Sequence, residues 1–85
     1  MKLITLGEYN MKLSQLKPGQ KAVVVSFDET DKKYRRKLLR MGILKGITFV
    51  FIRKAPLGDP VEIQVQDCFV SIRKEEAEIV NVEVE

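Results

Sequence analysis

Eighty-five residues with a formal net charge of +3 make one small domain, because a chain this short hides only about 60% of its unfolded surface and has no room for a deep cleft. With 45% hydrophobic and 32% charged residues it is neither disordered nor fibrous, and with a single cysteine, Cys68, and no histidine or tryptophan it excludes an internal disulfide and the usual zinc, haem and copper ligand sets. The longest apolar run, Ile47 to Ile52, is broken by Thr48 and far short of the ~18 residues that span a bilayer, and Met1 to Leu6 is too brief for a signal peptide, so a reduced, cytoplasmic setting without cofactors is expected.

Residues 1–11 show no clear period and stay unassigned as an N-terminal extension; the domain is expected over 12–85. Leu13 and Leu16 lead into Lys17-Pro18-Gly19-Gln20, a turn in which proline presets φ and glycine takes the permissive position. Lys21 to Phe27 follows as a strand whose Val23-Val24-Val25 run suggests cover on both faces. Asp28, Thr30 and Asp31 are suited to cap a helix over Asp31 to Met41, which Gly42 ends before Gly46 turns the chain into a strand from Ile47 to Lys54. Ala55-Pro56-Leu57-Gly58-Asp59-Pro60 must separate two strands, since proline cannot donate to a ladder.

Val61, Ile63 and Val65 alternate with Glu62, Gln64 and Gln66, and Cys68, Val70 and Ile72 alternate with Phe69, Ser71 and Arg73, with Asp67 at the tight turn between them. A helical turn at Glu76 and Ala77 precedes a last strand over 79–84. About five strands and one short helix after the first strand favour a mainly β fold closed into a small barrel, because closure removes exposed edges. The helix is expected to plug or flank one end.

Catalysis has little to stand on. Gly42 to Gly46 lacks the spacing and hydroxyl of a phosphate loop, and Asp59, Glu62 and Asp67 fall on turns or a wet strand face. Cys68 is expected to be a buried structural thiol on the inward face of its strand. The charge is polarised, with Lys32, Lys33, Arg35, Arg36, Lys37 and Arg40 in one segment and Glu75, Glu76, Glu78, Glu83 and Glu85 near the end. A solvated helix face is the ordinary reading of the basic segment, and phosphate binding over 32–40 is the rival; Phe27, Phe49 and Phe51 are expected in the core, leaving few aromatics to stack on bases.

Projected at about 100° per residue, Tyr34, Leu38 and Met41 share one stripe that should face the core, while Leu39 falls outside it beside Arg35 and Lys32. With Arg35, Arg36 and Arg40 around it, Leu39 has the make-up of an apolar anchor with a cationic rim, so these four are the candidate partner-binding residues.

Four groups of residues together resemble the FeoA-like domains of bacterial ferrous iron uptake: Leu13 to Gln20, Arg36 to Ile43 with Gly46, Ala55 to Pro60, and Ile72 to Ala77. The Pro56-Leu57-Gly58-Asp59-Pro60 turn at its distance from the helix-ending Leu39-Arg40-Met41-Gly42 is the most specific part. The resemblance implies an SH3-like barrel and a non-catalytic accessory role beside the membrane GTPase transporter FeoB. Related domains close the iron-dependent repressors of the DtxR type, so an iron-regulator-type interaction domain is an alternative, while a whole regulator with its helix-turn-helix is not expected. Asp67 stands where the family often has glycine, which implies slight turn strain. The lack of the usual metal ligands fits the accessory role, since such a domain can govern an iron transporter without touching iron.

Overall fold

Alternating apolar and polar residues build most of this molecule, and its computed structural model describes residues 11–28 and 32–85. Residues 1–10 of the expected extension, and the expected caps Thr30 and Asp31, lie outside the described residues. The elements in chain order are β1 (Met11–Lys12), a 3-10 turn (Leu13–Gln15), β2 (Lys21–Phe27), α1 (Lys32–Arg40), β3 (Thr48–Lys54), β4 (Val61–Val65), β5 (Cys68–Ile72), α2 (Lys74–Ala77) and β6 (Val80–Val84).

The strands form one antiparallel sheet in the order β1-β6-β2-β3-β4-β5. Register shifts between Val24 and Ser26 and between Phe51 and Arg53 mark irregularities of the kind that bend a strand and increase its twist. The fold class is the expected one, mainly β and SH3-like with a short helix after a strand, but the sheet is not closed, because β1 and β5 do not pair. With only two residues, β1 offers too short a ladder. The 3-10 turn that continues β1 instead packs against α2, which follows β5, so helical turns join the two ends of the sheet.

Inside lie Leu13, Leu16, Ala22, Val24, Leu38, Ile43, Phe49, Phe51, Val61, Ile63, Ile72, Ala77, Ile79, Val80 and Val82. Burying each phenylalanine fully contributes roughly 1.5–3 kcal/mol. In β2, Ala22 and Val24 are buried while Val23 and Val25 are half-buried, so the valine run is not covered on both faces. An antiparallel strand with one face toward the core produces that alternation. Phe27 is likewise half-buried and packs at the border of the core instead of inside it, since it ends its strand.

Gly42 stops α1 as its position suggests. Its φ is +88°, the Ile43 amide donates to the Leu38 carbonyl at 3.0 Å, and the Gly42 amide donates to the Leu39 carbonyl at 3.1 Å, which is the Schellman pattern. Lys17 to Gln20 forms a turn closed by the Gln20 amide donating to the Lys17 carbonyl at 3.1 Å.

The β4–β5 hairpin departs from the expectation in two ways. Its left-handed residue is Gln66, with φ of 55°, and not Asp67. Cys68 is exposed, not buried, because it pairs with Val65 next to the turn, at the end of the ladder. The inward alternation holds further along β5, where Val70 is half-buried and Ile72 is buried.

Candidate protein-docking surface

Nine residues without glycine or proline make α1 a regular helix, and one face of it is apolar. Leu38 is buried, and Tyr34 and Met41 pack against the core beside it. Lys32, Lys33, Arg35, Arg36, Lys37 and Arg40 are all exposed. Leu39, one residue round from buried Leu38, keeps 39% of its surface in solvent.

One helical turn separates Arg35 from Leu39, so the two stand on the same face. They line a shallow cleft with Ser26 and Phe27 of β2 and Lys45 of the loop after α1. The Arg35 guanidinium carbon lies 6.0 Å from the centre of the Phe27 ring, at the outer reach of a cation–π contact. Arg36 and Arg40, also one turn apart, are exposed but do not line this cleft. The structure therefore brings together Leu39 and Arg35, and adds Phe27 and Lys45. Neither addition has a signal in the α1 pattern, since both come from other segments.

Several other ionic residues hold elements together. Lys37 Nζ sits 2.8 Å from Oε2 of Glu76, whose side chain is 2% exposed, and Glu76 Oε1 accepts the Arg73 amide at 2.9 Å. This ties α1 to the start of α2. Asp59 Oδ1 accepts the Lys74 amide at 3.1 Å, so the turn of Pro56, Leu57, Gly58, Asp59 and Pro60 caps the same short helix from outside. Leu57 stands at the tip of that turn, 94% exposed. Glu62 accepts from Arg53 Nε at 3.0 Å across β3 and β4.

Among the described residues, the side-chain partners of Asp28 come from β1 and β6. Its carboxylate accepts from Lys12 Nζ and, at 3.0 Å, from Asn81 Nδ2, which also donates to Ser26 Oγ at 3.0 Å. Lys12 Nζ donates as well to Asn81 Oδ1 at 2.7 Å, so β1, β6 and the end of β2 share one polar cluster. The hydrogen bond from Lys12, then that from Asn81, hold the Asp28 carboxyl below its ordinary value of 3.8, against partial desolvation.

Among the described residues, no group of three or more His, Cys, Asp or Glu is placed to hold a metal ion, and no helix is long and apolar enough to cross a membrane. The arrangement around α1 offers an apolar side chain with exposed cations beside it.

A family model described as the FeoA domain matches residues 11–84. A Fe(2+) transport protein A/Fe(2+) transporter FeoB fusion protein of Porphyromonas gingivalis is 39% identical over 74 residues, spanning 87% of this chain and 9% of that protein. The solution structure of a FeoA-like protein from Clostridium acetobutylicum superposes with a TM-score of 0.81 at 33% identity, over 89% of this chain and 87% of that one. FeoA protein from Chlorobium tepidum gives a TM-score of 0.78 at 38% identity, over 87% of this chain and 70% of that one. A manganese-dependent transcriptional repressor shares the fold alone, with a TM-score of 0.82 at 13% identity over 89% of this chain and 42% of that one. Since the family match runs from β1 to the end of β6, the chain belongs to the FeoA domain family.

Proposed function

We propose that this domain is a non-catalytic accessory module of ferrous iron uptake that docks on a FeoB-type membrane GTPase transporter through α1 and adjusts its activity or assembly. The observation that carries this reading is the relative in which the matching domain and FeoB are one polypeptide. Fusion holds two modules at high effective concentration, whereas a separate domain must supply an interface of its own. Leu39, with Arg35, Phe27 and Lys45 beside it and Arg36 and Arg40 on the next face, supplies an apolar centre and a cationic border. Such a rim suits an acidic partner surface, and the module then works at the cytoplasmic face of the membrane.

The test is capture of FeoB from detergent-solubilised membranes of the native cell by tagged protein, with Leu39→Gln as the paired control. Wild type should recover FeoB and Leu39→Gln should recover at least about tenfold less, with both proteins melting at the same temperature. Equal recovery by the two removes α1 from the contact, and recovery by neither removes the adaptor reading.

Nucleic acid is the competing ligand for the exposed cations of α1. Lys37 is already engaged by Glu76 and Arg35 stands over the Phe27 ring, which weakens the case. A short oligonucleotide titrated at low and at physiological salt decides it: affinity that falls steeply with salt supports phosphate binding, and no affinity at low salt ends it.

A further inference from the structure

Strand β5 ends the sheet, and nothing among the described residues pairs with its outer edge. Exposed edges are ordinarily blunted by shortness, by lysine or proline, or by a bulge. The opposite edge, β1, is two residues long and carries Lys12. By contrast β5 runs for five residues, Cys68-Phe69-Val70-Ser71-Ile72, with no charge, no proline and an unbroken register against β4. Phe69 is 68% exposed on it.

We propose that β5 pairs with β5 of a second copy of this chain, antiparallel, about a twofold axis at Val70. Val65 and Cys68 flank a two-residue turn, so Cys68, Val70 and Ile72 direct their backbone groups to β4 while Phe69 and Ser71 direct theirs outward. Arg73 has extended backbone but gives its amide to Glu76, so the outward ladder ends at Ser71. Setting Phe69 opposite Ser71 of the second copy is the antiparallel register that satisfies the amide and carbonyl of both residues on both chains.

Side chains favour the same register. Residues whose numbers sum to 140 then face each other, and Asp67 stands opposite Arg73 on both sides of the axis. Both are exposed and neither has an ion-pair partner among the described residues. Each Phe69 ring lies over the small Ser71, with the second Phe69 and Arg73 at diagonal positions that aromatic rings can reach. Moving the register by two residues in either direction breaks the Asp67–Arg73 match and leaves half of the outward groups unpaired. Five residues per chain make an interface at the small end of the known range, so the dimer is weak and concentration-dependent.

Sedimentation equilibrium of the full chain from about 10 µM to about 1 mM tests this. Wild type should pass from monomer to dimer over that range. Asp67→Arg and Arg73→Asp should each weaken dimerisation roughly tenfold, because each change acts twice across the axis, and the double variant should return to within about threefold of wild type. Ser71→Pro removes an outward amide and should stay monomeric with an unchanged circular dichroism spectrum; if it fails to fold, the charge exchange decides alone. A wild type that is monomeric at about 1 mM overturns the proposal, as does a double variant no tighter than the single ones, or a dimer that a folded Ser71→Pro leaves intact.

Discussion

Lys37 and Glu76, from helices 39 positions apart in the chain, meet at 2.8 Å, with the lysine half in solvent and the glutamate almost wholly buried. A buried carboxylate with one partner removed is left with an uncompensated charge, which costs far more than an exposed ion pair contributes. Lys37→Met should therefore destabilise the domain by about 1–3 kcal/mol in chemical denaturation. Glu76→Gln keeps an oxygen for the Arg73 amide and gives up the charge, so its loss should be smaller. Equal losses would show that leaving the Glu76 charge unpaired costs nothing beyond the loss of the pair itself.

The Asp28 cluster predicts a pH dependence. A carboxyl whose folded pKa is depressed stabilises the folded state above its unfolded value near 4, and that contribution drains away as pH falls through the lower folded value. Asp28→Asn should melt below wild type at neutral pH, and the gap should close below about pH 4. Thermal melts across that range are the check. A gap that persists unchanged in acid would mean that Asp28 acts only through its shape.

At the β4–β5 turn, Gln66 holds a φ of 55° that glycine adopts without strain. Gln66→Gly should stabilise the domain by about 0.5–1 kcal/mol, the relief of the left-handed backbone exceeding the added freedom of the unfolded chain. Gly42→Ala should do the opposite by about 1–2 kcal/mol, since φ there is +88° and an added Cβ meets nothing within 4 Å that could compensate. Denaturant midpoints measure both.

Cys68 lies in solvent at the hairpin end, so a disulfide exchange reagent should titrate one thiol per chain in the native protein without denaturant. Protection until unfolding would place the thiol back under cover and contradict the hairpin geometry.

Local chemistry made much of the fold legible in the sequence. β2 occupies Lys21–Phe27 as its β-branched run indicates, Gly42 ends α1, and Tyr34, Leu38 and Met41 form the inward stripe, because helix and strand periods and the special φ of glycine act between near neighbours. The exposure of Leu39 belongs to the same class of inference, since it follows from the angle that separates it from Leu38.

Tertiary structure alone decided the rest. Alternation says that Cys68 and Ile72 share a face, but only the position of the turn puts one at the open end of the ladder and the other in the core. Asp28 shares a polar cluster with Lys12 and Asn81 only because β1 and β6 bring those side chains to its carboxylate. Phe27 and Lys45 join Arg35 and Leu39 only because β2 and the loop after α1 converge there, and β5 becomes an open edge only because β1 is too short to meet it. Each outcome depends on contacts between distant segments, which residue order constrains weakly and packing of a single small core decides.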